Sequence, residues 1–216
     1  MSSTIATPVN SQTPALPQAK RGSAHSMALT RQADRASRSG IWVGLFAITM
    51  SIAAFSSALF VRQGTMDWTH IILPSVLYLN TLLLLASSAT LEVARRSLTA
   101  ASPVDSNAAA RKASAWVILT VLLGLVFCVG QFAAWRDLRA QGIYLTTNPN
   151  SSFFYVLTFI HALHVLAGIA ALVHLAGRLT ASHSTFRRSL FENTAIYWHF
   201  MAVLWVYLFL LCRMKL

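Results

Sequence analysis

The sequence predicts an all-α, polytopic membrane bundle of five transmembrane helices, with the N-terminus in the cytoplasm and the C-terminus outside. Three observations carry that prediction. Only 11% of the 216 residues are charged and 56% are hydrophobic, with a mean hydropathy of +0.57, whereas soluble domains average roughly 25% charged residues. Five apolar runs reach spanning length: Ile41–Val61, Ile71–Leu91, Trp116–Trp135, Phe153–Ala176 and Ala195–Cys212. A helix needs about 20 such residues, at 1.5 Å rise, to cross the hydrocarbon layer. Finally, the basic residues alternate between the connecting segments. Twelve lie before the first span and in the second and fourth connectors (Lys20, Arg21, Arg31, Arg35 and Arg38; Arg95, Arg96, Arg111 and Lys112; Arg178, Arg187 and Arg188). Five lie on the other side (Arg62, Arg136, Arg139, Arg213 and Lys215). Lys and Arg collect on the cytoplasmic face of membrane proteins, which sets the orientation.

The same distribution disposes of one function class. A net charge of +11 and a pI near 10.9 would suit nucleic acid if the cations formed one patch. Scattered along alternate connectors, they read as topology signals and anionic-lipid contacts, and nucleic acid is not an expected partner. Cys128 and Cys212 sit mid-span and at a span margin, so no disulfide is expected. No CxxCH or CxxC spacing points to attached haem or zinc.

Residues 1–39 are rich in Ser, Thr, Ala, Gln and Pro and read as a disordered cytoplasmic tail; residues 40–216 form the membrane domain. No apolar block precedes Ile41, so a cleaved signal peptide is not expected. Span one places Ala47, Ser51, Ala54 and Ala58 on one stripe, and Gly40 and Gly44 add a GxxxG. Small residues at this spacing let helices approach closely in lipid. The following connector holds Trp68 and His70, rings suited to the interface.

Span two has Pro74 in its first turn, where a missing N–H is tolerated. Asn80 falls roughly 14 Å into the run and needs a hydrogen bond to another helix or to backbone. Glu92 precedes Arg95 and Arg96 by three and four residues, so it either pairs with them or gathers protons at the inner surface. Residues 97–113 read as a loop with a turn at Ser102–Pro103. Span three lines up Gly124, Cys128, Gln131 and Trp135, a close-contact stripe with Gln131 as a polar tie. Asn148-Pro149-Asn150 offers a turn and helix caps before span four.

Span four carries most of the chemistry. His161 and His164 share a stripe with Gly168, Ala171 and Leu175, and lie about 12–17 Å from the outer end, near the midplane. Ionisable groups at that depth need partners. The pair could be hydrogen-bonded structural contacts, part of a proton relay, or ligands of a metal or haem. The last reading needs further ligands, and His199 lies toward the opposite end of span five. His174, Glu92, Glu192 and His199 converge on the cytoplasmic margin. Since histidine exchanges protons near neutral pH, these four are candidates for proton collection or for contacts with lipid headgroups.

The run His161-Ala-Leu-His164-Val-Leu-Ala-Gly168, followed by Glu192-Asn-Thr-Ala-Ile-Tyr197-Trp198-His199-Phe200 with Val203 and Trp205, resembles the last two helices of subunit III of haem–copper cytochrome c oxidases. Leu79-Asn80-Thr81 and the leucines after it resemble that family too, as does the five-span count of its short bacterial forms. The resemblance covers about Ile41 to the C-terminus. It implies an accessory subunit of a bacterial cell (inner) membrane, multi-pass and hetero-oligomeric, that binds no redox centre itself. Haem and copper are expected in its partners, the catalytic subunit I and subunit II, which it braces while holding phospholipids and supporting proton uptake. Two positions depart from the family pattern. Ile48-Thr49-Met50-Ser51 holds no carboxylate in span one, and Ala202 stands where an acidic residue is expected. Both departures favour a structural, lipid-binding role. The alternatives are the homologous subunit of a quinol oxidase or nitric oxide reductase, and a small haem-b electron-transfer protein. A transporter is disfavoured, because the spans show no inverted repeat.

Overall fold

The computed structural model describes residues 18–62, 74–100, 106–180 and 188–215. Five helices follow one another: α1 (Gln18–Arg62), α2 (Val76–Thr99), α3 (Ser106–Ala140), α4 (Pro149–Thr180) and α5 (Arg188–Lys215). Each contains a stretch long and apolar enough to cross a membrane. The chain divides into two units, Met1–Ser39 and Gly40–Leu216.

In the first unit, helix begins at Gln18, where the sequence leads one to expect disorder through residue 39. Prolines occur at positions 8, 14 and 17 and not again until 74. Past Pro17 the composition turns to Ala, Arg, Gln and Met, which favour helix. Residues 1–17 lie outside the described residues, as do Trp68 and His70.

In the second unit, α2, α3, α4 and α5 pack in sequence and α2 also packs on α5, so the four form a closed antiparallel ring. The helices run past the apolar spans. The expected loop at 97–113 shrinks because α2 continues to Thr99 and α3 already begins at Ser106. Ala108, Ala109, Ala110, Arg111 and Lys112 are strong helix formers, and the two cationic side chains are exposed. Gly142 stops α3 with φ +77°, a left-handed conformation that glycine adopts without steric cost. Its N–H bonds to Arg139 O at 3.0 Å, and that of Ile143 to Leu138 O at 3.0 Å, the paired closure of a Schellman end. Pro149 occupies the first position of α4, where its lack of an N–H loses nothing.

Trp198 of α5 fixes the centre of the ring. It is fully buried (0% exposed) and lies against two glycines on different helices. A Cβ on Gly124 of α3 would sit 2.9 Å from Trp198 Cη2, and one on Gly168 of α4 would sit 3.0 Å from its Cε3. The indole N–H donates to Ser87 Oγ of α2 at 3.1 Å. One side chain thus touches all three other helices of the ring.

Two further indoles repeat the device. Trp205 Nε1 donates to Thr81 Oγ1 of α2, and Trp135 Nε1 to Thr158 Oγ1 of α4, both at 3.1 Å. Each accepting hydroxyl passes its own proton to a carbonyl of its own helix: Ser87 to Leu84, Thr81 to Leu77, Thr158 to Phe154. A hydroxyl has one donor and two lone pairs, so it can tie two helices and leave nothing unpaired. Lipid offers no replacement partner.

Helix α1 joins from outside the ring, beside α5. Tyr207 donates to Ser56 Oγ at 2.9 Å, and Lys215 Nζ sits 4.9 Å over the Phe60 ring. Its buried stripe is Leu45, Ile52, Ser56 and Leu59. The small-residue stripe Ala47, Ser51, Ala54 and Ala58, expected to make a close helix contact, is exposed instead. Gly40 and Gly44 likewise have open space around them. Both faces of the span are apolar, and the bulkier one has more area to bury against α5.

This packing separates the glycines by consequence. Gly168→Val should lower the stability of the detergent-solubilised chain by about 1–3 kcal/mol, because the branched side chain overpacks the indole. Gly44→Val, facing open space, should change it little. Thermal unfolding followed by circular dichroism compares the two, and equal losses would contradict the arrangement.

Candidate functional site

Two polar regions occur in the ring, one around Asn80, Gln131 and His161 and one at the end that holds Glu92. In the first region, Asn80 is 1% exposed. Its Nδ2 reaches Phe127 O of α3 at 3.4 Å, and its Oδ1 lies over Gly130, where any side chain would collide with it. Gln131 follows Gly130 and is 1% exposed. His161 of α4 is also 1% exposed, with its ring edge-on to Phe127 (5.9 Å between centroids) and tilted on Trp205 (5.0 Å). Phe127 and Trp205 meet edge-on at 4.9 Å. The amide of Gln131, Oδ1 of Asn80 and both ring nitrogens of His161 have no hydrogen-bond partner.

The two histidines of span four part company. Three residues along a helix turn the direction by 300°, about 60° short of a full circle. His161 enters the core, while His164 rests half-buried at its flank. His164 Nδ1 bonds at 2.7 Å to Ile160 O of its own helix, and its backbone carbonyl accepts from Tyr197 Oη of α5 at 2.9 Å.

At the other region, Glu92 accepts from Arg95 Nε at 2.7 Å, Arg95 Nη2 at 2.8 Å and Arg96 Nε at 3.0 Å. The spacing of three and four residues brings all three side chains to one helix face. His199 of α5 hydrogen-bonds through Nδ1 to Ser88 Oγ of α2 and lies within electrostatic reach of Glu92 and Arg95. Glu192 acts on Arg95 in the same way. The antiparallel ring therefore brings the end of α2 that holds Glu92 and Arg95 beside the first turns of α5, which carry Glu192 and His199. His174 is exposed on the outer face of α4.

Among the described residues, no three His, Cys, Asp or Glu side chains gather in a set that could hold a metal ion. Cys128 and Cys212 are free thiols. The site residues that sequence reasoning passes over are Ser87, Ser88, Thr81 and Thr158. A lone hydroxyl in an apolar run is an ordinary helix residue; only the facing Trp or His gives it a role.

Removing an interhelical partner should matter more than removing a surface ion pair. Ser87→Ala leaves the Trp198 N–H buried without an acceptor and should cost about 1–3 kcal/mol. Glu92→Gln removes exposed pairs worth about 0.2–0.5 kcal/mol each. Unfolding midpoints of the two variants give the comparison, and a larger loss from Glu92→Gln would contradict this ranking.

Comparison with known proteins gives a consistent result. The family described as cytochrome c oxidase subunit III matches residues 40–214. A cytochrome c oxidase subunit 3 of Synechocystis is 32% identical over 175 residues, covering 80% of this chain and 69% of the relative. One from Corynebacterium diphtheriae is 38% identical over 96 residues (44% of this chain, 47% of the relative). One from Lumbricus terrestris is 37% identical over 140 residues (63% and 49%). The chain thus spans about half the length of the latter two, and somewhat more of the first.

Proposed function

The chain belongs to the cytochrome c oxidase subunit III family, and from that premise we propose that it braces the catalytic subunit of a haem–copper terminal oxidase without carrying a redox centre. The match over residues 40–214 is the observation that carries this reading. It takes in α2, α3 and α4 entire, α5 to Met214 and α1 from Gly40 onward.

The outward features suit a subunit held in a larger complex. Ala47, Ser51, Ala54 and Ala58 leave one face of α1 shallow, open to the helix of a partner, since small residues allow close approach in lipid. Trp42, Phe46, Leu82, Val129 and Phe132 are exposed and suit acyl chains or a neighbouring subunit. Subunit I is the partner on the α1 side, and subunit II completes the complex. Phospholipids cover what remains.

The charge pattern supports an orientation with the N-terminus in the cytoplasm. Glu92, Glu192 and His199 then stand at the inner surface. Glu92 is already committed to Arg95 and Arg96, which favours an interfacial anchor over a mobile proton carrier. Thr49 and Ser51, in the stretch of α1 that lacks a carboxylate, donate to carbonyls of their own helix. Support for proton uptake is therefore indirect, through the integrity of the catalytic partner.

Purification in mild detergent through a tag on this chain tests the reading. Haem-bearing polypeptides should accompany it, and the identity of the co-purifying large subunit distinguishes a cytochrome c oxidase from a quinol oxidase or nitric oxide reductase. Recovery of a lone, stable, colourless chain would overturn the proposal. The orientation has its own test. Alkaline phosphatase fused after Lys215 should be active, and a fluorescent protein fused before Gln18 should fluoresce; the reverse pattern would invert the topology.

A further inference from the structure

The layer around Asn80, Gln131 and His161 holds more unpaired polar atoms than its surroundings explain. Its contacts close a circuit around the ring. Asn80 of α2 bonds to Phe127 O of α3, and the Phe127 ring meets His161 of α4. The His161 ring lies on Trp205 of α5, whose indole bonds to Thr81, the residue after Asn80. Gln131, one turn along α3 from Phe127, is buried on the same stripe. Five atoms in this layer lack partners: Asn80 Oδ1, Gln131 Oε1 and Nε2, and His161 Nδ1 and Nε2. Elsewhere in the ring the indoles of Trp198 and Trp135 each meet a hydroxyl, Ser87 and Thr158, which in turn bonds to its own helix. This concentration at a single level is therefore a local feature.

We propose that the layer is an internal binding site for ordered water, enclosed by Asn80, Gln131 and His161, about two helical turns from the level of Trp198. The chemistry of the atoms selects the ligand. Asn80 Oδ1 only accepts, Gln131 both donates and accepts, and a neutral imidazole offers one donor and one acceptor. An anion needs donors alone and a cation acceptors alone. Water supplies both, and a buried water typically makes about 3 hydrogen bonds, so about two molecules satisfy five atoms. The site ties α2, α3 and α4 together at the level where Trp198 does not reach. Unlike the indole bonds, it does so through a guest that lipid cannot supply.

Radiolytic footprinting of the whole assembled complex tests this directly, because hydroxyl radicals formed from a bound water modify the side chains beside it. Trp205 and Trp198 make a matched pair, at 2% and 0% exposed. Trp205, next to the layer, should be oxidised about tenfold faster than Trp198, with His161 and Phe127 also modified, as expected of side chains lining a hydrated cavity. The double variant Gln131→Leu/His161→Phe removes four of the five unpaired atoms and should abolish the difference. Equal, slow labelling of the two tryptophans in the unmodified complex would overturn the proposal. Should the double variant fail to assemble, a high-resolution map of the unmodified complex decides. Water density within hydrogen-bonding distance of two of the three side chains supports the site. A dry layer, in which Gln131 bonds directly to His161 or Asn80, refutes it.

Discussion

The placing of one indole between two glycines governs the rest of the ring. Trp198 presses one edge on Gly124 and another on Gly168, and gives its N–H to Ser87. The three contacts come from three helices, so the spacing of α3, α4 and α2 around α5 is set by the dimensions of a single flat ring. The hydrophobic effect cannot enforce that spacing, because a helix leaving its neighbours meets lipid as apolar as they are. What remains is close packing and the hydrogen bond, and both fail if a methyl group is added at either glycine or the hydroxyl is removed.

The polar pattern around Trp198 follows from the same solvent. In water an unpaired hydroxyl or indole bonds to the solvent; inside the membrane it must find protein. Ser and Thr meet this demand at low volume by donating to their own helix and accepting from the next one. The tryptophans of α5 and α3 then act as fixed-length donors. Toward the Glu92 end of the ring the demand relaxes, and an ion pair confined to one helix face is enough for Glu92, Arg95 and Arg96.

How much of this was readable in advance differs from element to element. The five spans follow from run length, since nothing but lipid accommodates so many consecutive apolar residues. The pairing of Glu92 with its arginines follows from helical spacing. The outward face of α1 does not follow, because in a membrane helix the exposed and buried sides are equally apolar and hydropathy cannot tell them apart. There Leu45, Ile52 and Leu59 take the buried positions and the small residues face outward. Nor could the sequence separate His161 from His164. Spacing set them within about 60° of each other, and the position of the neighbouring helix decided which one entered the core. The helix from Gln18 does not follow from composition either, because a polar stretch rich in Ala and Arg suits both helix and disorder. Gly124 and Gly168 were recognisable as places of close approach, but the side chain that approaches them lies 74 and 30 residues further along.

That last separation bears on how the molecule is made. During synthesis α2, α3 and α4 enter the membrane before the indole they share has been translated. Until α5 follows, the two glycine notches face each other with no wedge between them, and Ser87 has no tryptophan to accept from. The ring is therefore a late commitment of the nascent chain. A polypeptide broken off before Trp198 would insert its earlier helices in order and still leave the insertion machinery without a finished bundle, exposed to membrane quality-control proteases.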